Sequence, residues 1–246
     1  MTADRQPGTL RGRRAPVEPS RRRGLALGAR PARPAGIGPV IAVVVVALLG
    51  FIALSVVLAP ADDIAINFSD ERRSITLLST GMFLMAGCLA VATAWVERRG
   101  SGRARLLWIS LTVLMCYFCV DEVLQFHEQL GDYLGAHAPR GPFRNYNDVI
   151  VIGYALAALP VALLCWREVL RHPRLMTMLM ITGAFYVGTS AVDSLTEPPT
   201  STSIIVEESI KVFCSTFFML SMLTGFLAAR WLHPGPTRGR DLVPAG

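Results

Sequence analysis

Six long apolar runs, separated by short polar segments, set the pattern of this chain. None of them alternates apolar and polar residues as the strands of a membrane barrel do, so each run predicts a helix. A helix needs roughly 20 apolar residues to cross a bilayer, and every run is about that length or longer. The runs are Ile37 to Ala61, Ser74 to Val96, Leu106 to Gln125, Val149 to Trp166, Leu175 to Ser194 and Ile204 to Leu232.

The composition is typical of an integral membrane protein. Hydrophobic residues make up 52% of it and charged residues 17%, whereas soluble domains carry about 25% charged residues. The first run ends with Ala59-Pro60-Ala61, which resembles a signal-peptide cleavage site. That run is too long for a signal peptide, so we expect a retained helix. The sequence therefore predicts an all-α integral membrane protein, a bundle of six transmembrane helices.

The basic residues predict how the bundle is oriented. Of the 24 Arg and Lys residues, 19 fall on the side of the N-terminus and five on the opposite side. Because basic loops stay in the cytoplasm, both termini are expected to be cytoplasmic. The abundance of Ala, Gly and Arg is typical of a GC-rich bacterial genome, which places the chain in a bacterial plasma membrane.

Two polar segments flank the predicted transmembrane domain of residues 37–232. Residues 1–36 are rich in Arg and Pro without apolar periodicity, and this predicts a disordered cytoplasmic tail. Residues 233–246 form a second, short cytoplasmic tail. Nine Arg in the first tail, next to a membrane, favour contact with anionic lipids over nucleic acid. Membrane lipids are therefore the expected partners, and the sequence does not define an oligomeric state.

Acidic residues gather at the end of the third predicted span. If the helix continues past Gln125 at 100° per residue, one stripe of its surface carries Asp121, Gln125, Glu128 and Asp132. His127 lies about 120° from Asp121 on such a helix, so it joins the stripe only where the helix is distorted. His137 and His172 fall in predicted loops and are expected to be exposed to solvent.

The fifth and sixth spans bring further charges to the same predicted depth. Asp193 ends the fifth span, and Glu207, Glu208 and Lys211 open the sixth. Charged groups inside a membrane segment are costly and usually share a cavity with their partners. We therefore predict an acidic pocket at the outer leaflet. Its candidate metal ligands are Asp121, Glu122, His127, Glu128, Asp193, Glu207 and Glu208.

The predicted pocket fits more than one function. Carboxylates with one histidine suit a divalent metal ion, and a metal-bound water would make the protein a metal-dependent hydrolase of a lipid or envelope substrate. The alternative is a cation-binding or transport module without chemistry. A third interpretation stays open, in which these residues cap helices at a wet interface and Glu207 pairs with Lys211.

Two short motifs resemble a family of polytopic membrane proteins from bacteria and archaea. The motif Asp121-Glu122-x4-His127-Glu128 is similar to one that ends a central helix in those proteins. Glu207-Glu208-Ser209 is similar to the start of their last helix. The resemblance implies one shared site built from both stretches, and it brings no established activity.

Overall fold

The computed structural model describes residues 36–69, 74–137, 146–196 and 200–232, except for the side chains of residues 69, 99, 148, 151 and 193–195. The predicted tails therefore lie outside the described residues, apart from Gly36. The described residues form eight α-helices. They are α1 (Gly38–Val57), α2 (Ile66–Ser69), α3 (Ser74–Val96), α4 (Gly102–Leu124), α5 (Phe126–His137), α6 (Tyr146–Leu170), α7 (Pro173–Leu195) and α8 (Ser201–Leu232).

Six of these helices are long and apolar enough to cross a membrane: α1, α3, α4, α6, α7 and α8. The prediction of an all-helical chain with six spans is confirmed for the described residues, and it supports a multi-pass membrane protein. The helix ends differ from the predicted ones by a few residues. For example, α4 starts at Gly102, ahead of the apolar run, because the Ser101 hydroxyl caps it by accepting a hydrogen bond from the Ala104 N–H at 3.1 Å.

The last helix is the centre of the bundle. Its side chains are the most buried of the six spans, and it packs mainly against α3 and α7, while α3 packs also against α4. Trp108 of α4 and Leu220 of α8 are buried in the core between these helices. A β-carbon at Gly225 of α8 would overlap the Trp108 ring, so the absence of a side chain there lets the indole pack against α8.

The third span ends in a break that the sequence did not reveal. Gln125 adopts the left-handed conformation (φ 51°, ψ 43°), and its N–H donates to the Asp121 carbonyl at 2.6 Å. The chain then starts α5 as a separate helix. The predicted stripe through Asp121, Glu128 and Asp132 was therefore wrong, because it assumed one unbroken helix. Asp132 is exposed on α5.

A polar network joins two loops at the opposite end of the bundle. The Glu168 carboxylate is buried and accepts hydrogen bonds from the Ser101 hydroxyl at 3.1 Å and from Arg171 Nη1 at 2.6 Å. These contacts tie the α3–α4 connection to the α6–α7 connection. His172 is half-buried beside this network, not exposed as expected, and burial lowers its pKa. His137 is exposed, as predicted.

Candidate ligand cavity

A cavity of about 320 Å³ opens between the helices at the end of the bundle where α4 ends and α8 begins. Six helices contribute to its wall, which combines acidic, hydroxyl and aromatic side chains. The lining residues are Ser79, Phe83, Phe118, Asp121, Glu122, His127, Glu128, Asn147, Tyr154, Tyr186, Thr189, Ser190, Glu207, Lys211, Cys214 and Phe218.

The break at Gln125 brings His127 back onto Asp121. The buried Asp121 carboxylate accepts the His127 backbone N–H at 3.2 Å through Oδ1. Its Oδ2 lies 2.9 Å from His127 Nδ1. This contact assigns the Nδ1 proton to the Asp121 hydrogen bond and leaves Nε2 on the other side of the ring, 3.7 Å from Glu128 Oε1. The structure therefore contains the distorted helix that His127 requires to join the acidic residues.

Opposing influences act on the His127 pKa. Burial lowers it, but the hydrogen bond and the charge of Asp121, together with the charge of Glu128, outweigh burial. Lys211 also lowers it, to a smaller extent. The net result is a pKa above that of a free imidazole, so the pairing with Asp121 favours the protonated ring.

Lys211 of α8 holds a second charged group together. Its Nζ lies 3.3 Å from Glu207 Oε1 and donates a hydrogen bond to Glu208 Oε1 at 2.6 Å. Glu207 and Glu208 lie four and three residues before Lys211, so each reaches it along the helix with the acid N-terminal to the lysine, which is the favourable order. The predicted Glu207–Lys211 pair is therefore present, although Glu208 is the closer partner.

Glu122 sits between the two charged groups. It interacts electrostatically with Lys211, Glu208 and His127. The Ser79 hydroxyl is buried beside it, and its oxygen completes no hydrogen bond of ordinary geometry with the described residues. Among the described residues that line the cavity, four carboxyl groups face one ammonium and one imidazole. The cavity therefore leans towards negative charge.

Aromatic rings form the apolar part of the wall. Phe83, Phe118 and Phe218 contact one another with ring centroids 5.5–5.9 Å apart. Tyr154 packs edge-on against Tyr117 at 5.1 Å, and Tyr186 lines the cavity from α7.

Sequence reasoning missed Ser79, Tyr154 and the three phenylalanines, because they sit inside apolar runs. One signal could have found some of them. Ser79 and Phe83 are four residues apart, and Asn147 and Tyr154 seven apart, which puts each pair on one helix face.

The structure places most, but not all, of the predicted metal ligands at the cavity. The lining of the cavity includes Asp121, Glu122, His127, Glu128 and Glu207. Glu208 is not among the lining residues and accepts a hydrogen bond from Lys211. Asp193 belongs to α7, but its side chain is outside the described part of the chain. Within that part, no three His, Cys, Asp or Glu side chains are arranged to hold a metal ion. Metal binding therefore stays a prediction.

Comparison with known proteins identifies one similarity. Residues 38–226 match the family described as Domain of unknown function (DUF8692), a stretch that covers all six spans except the end of the last. No curated protein and no solved structure matches the chain at a significant level.

Proposed function

The chain belongs to the family DUF8692, whose function is unknown, and from the cavity itself we propose that it binds a small organic cation such as an ammonium compound. The observation that carries this proposal is the meeting of carboxyl groups and aromatic rings on the wall of one cavity. The charge, the size and the aromatic content of the cavity each favour this class of ligand.

Charge favours a cationic ligand. Asp121 is engaged by His127, and Glu208 by Lys211. Glu122 shares Lys211 with two other glutamates. Buried carboxylates need compensating charge, and a cation next to Glu122 would supply it. Ser79, which is buried and interacts with the same carboxylate, offers a hydroxyl oxygen to an O–H or N–H donor of the ligand.

Size and aromatic content favour an organic ion over a bare metal ion. A cavity of about 320 Å³ is near the lower end of the range for small-molecule sites, roughly 300–1,000 Å³. Aromatic faces attract a cation that lies within about 6 Å of the ring centroid. Phe83, Phe118 and Phe218 stand together on the cavity wall, so a ligand there would meet rings on one side and carboxylates on the other.

A metal-dependent hydrolase is the second candidate, and the orientation of His127 favours it. Metal-bound histidines commonly give their other ring N–H to a carboxylate, as His127 Nδ1 is placed to do with Asp121. His127 Nε2 and Glu128 Oε1, 3.7 Å apart, would be two ligands, and Asp193 could be a third. A metal held there would activate a water molecule for hydrolysis.

We further propose that the protein lies in the plasma membrane with both termini in the cytoplasm. The support is the distribution of Arg and Lys along the sequence. In this orientation the cavity opens near the outer leaflet, where it would meet ligands from outside the cell.

One experiment separates the two candidate functions. The purified full chain is analysed for bound metal and its melting temperature is measured with choline, with the neutral isostere 3,3-dimethylbutanol, and with divalent metal ions. We expect choline to raise the melting temperature, since a ligand that binds the folded state stabilises it. The neutral isostere should have little effect.

Two outcomes would overturn the organic-cation proposal. About one metal ion per chain, retained after purification and lost in both His127→Ala and Asp193→Ala, would support the hydrolase instead. Equal shifts with choline and its neutral isostere would show that charge does not contribute, and would contradict a cation site.

A further inference from the structure

A surface groove runs between α3 and α8 at the end of the bundle opposite the ligand cavity. Its floor and walls are apolar, formed by Cys88, Val91 and Ala92 of α3 together with Trp95 and Phe226. Val91 and Trp95 are largely exposed, at 52% and 68%. Because the groove lies on two membrane-spanning helices, its surroundings are acyl chains and not water.

Two arginines stand over the rings of this groove. Arg98 follows α3, and its guanidinium carbon lies 4.2 Å from the centroid of the Trp95 ring. Arg230, in the last turn of α8, folds back over Phe226 at 5.9 Å. Both rings line the groove, so both positive charges are held at the same apolar surface although they come from different helices.

Neither arginine has an ion-pair partner among the described residues, in contrast to Arg171 at the same end, which pairs with Glu168. Stacking on an aromatic ring fixes the plane of a guanidinium while its N–H donors stay free to bind. Guanidinium groups bind phosphate by two parallel hydrogen bonds. The end of the groove therefore presents guanidinium N–H donors that can bind an anionic phosphate group.

We propose that this groove binds one anionic phospholipid, with an acyl chain along α3 and α8 and the headgroup phosphate at Arg98 and Arg230. Charge complementarity selects the headgroup, and the apolar groove below it selects a molecule that carries a chain. A free phosphate ion would use the arginines and leave the groove unfilled. The proposal is independent of the ligand cavity and of what that cavity binds.

Native mass spectrometry of the full chain in a neutral detergent tests this site. The protein is titrated with phosphatidylglycerol and with phosphatidylcholine that carry the same acyl chains. We expect one phosphatidylglycerol to bind several-fold more tightly than phosphatidylcholine. Each arginine near a membrane surface contributes about fivefold to the affinity for anionic lipid, so Arg98→Gln and Arg230→Gln should each lose about that factor, and the double variant should lose the preference.

Two further variants test the geometry. Ala92→Phe should weaken the binding of both lipids, because it fills the groove without changing the charge. Arg105→Gln should leave binding unchanged, since Arg105 is an exposed residue near the start of α4 and stacks on no ring of the groove. The melting temperature of each variant shows whether it still folds. Arg98→Lys, which keeps the charge but loses the stacked guanidinium and its paired hydrogen bonds, should bind phosphatidylglycerol more weakly than the wild type and more tightly than Arg98→Gln.

Several results would overturn the proposal. Equal affinity of the wild type and the double arginine variant for phosphatidylglycerol would contradict the headgroup contact. An unchanged lipid affinity in Ala92→Phe would contradict the acyl-chain contact. Glycerol phosphate that displaces the lipid at equal concentration would show an anion site alone. A dimer that dissociates on Ala92→Phe would show that a second copy of the chain occupies the groove.

Discussion

At the scale of single residues, the contact between Trp108 and Gly225 gives a sharp test of the packing. A methyl group at Gly225 would overlap the buried indole, and overpacking of a core costs about 1–3 kcal/mol. Gly225→Ala should therefore lower the melting temperature in detergent. The matched control is Gly183→Ala, because Gly183 of α7 has open space around it. That substitution should leave the melting temperature unchanged or raise it slightly.

His127 makes stability depend on pH in a definite direction. Its pKa in the folded protein is raised above the ordinary imidazole value of about 6.5, so its pairing with Asp121 stabilises the folded protein fully below that pH. The stabilisation is lost as the pH rises through the raised value. We expect the difference in melting temperature between the wild type and His127→Gln to be largest below about pH 6.5 and to shrink as the pH rises above it. A difference that grows with pH would contradict the assigned ion pair.

At the scale of helices, the break between α4 and α5 determines the site. Gln125 has a positive φ of 51°, which costs a residue with a β-carbon about 1–2 kcal/mol. Gln125→Gly should therefore keep or raise the melting temperature, whereas the β-branched Gln125→Val should lower it. If α4 and α5 were one continuous helix in the membrane, the glycine variant would be the less stable of the two.

The helices themselves could be predicted from the sequence, but this break could not. Apolar runs of about 20 residues identify spans because lipid leaves the backbone few alternatives. Gln125 carries no such signal, since neither Gly nor Pro marks the turn. Extrapolation at 100° per residue therefore put Glu128 in line with Asp121, and it put His127 on the wrong side. Three-dimensional packing of α5 on α6, where Gly131 closely approaches Asn147, favours the broken path.

At the scale of the whole molecule, membrane topology decides which side the cavity faces. A reporter fused after Gly246 should be active in the cytoplasm, and one inserted near Gly141 should be active outside, because basic residues follow the positive-inside rule. Reversed activities would place the cavity at the cytoplasmic face. The proposed lipid groove would then lie in the outer leaflet.

The gathering of charges in one cavity was partly predictable. Asp121, Glu122 and Glu207 stood near one end of their spans, and the cost of isolated charge in lipid argued for a shared pocket. The aromatic half of the wall could not be read in the same way, since Phe83 and Phe218 are ordinary residues of a membrane helix until their neighbours are known. It is this half that directs the proposal from a metal ion towards an organic cation.

The most direct test of the proposed function is a calorimetric titration of the purified protein with choline. We expect saturable binding of one choline per chain. Binding should weaken by at least about tenfold in Glu122→Gln, because loss of one partner of a buried charge pair is costly. Asp132→Asn, which neutralises an exposed acid of α5 outside the cavity, should bind like the wild type. Undetectable binding to the wild type, or equal affinity in the wild type and Glu122→Gln, would contradict the proposal that the cavity binds an organic cation.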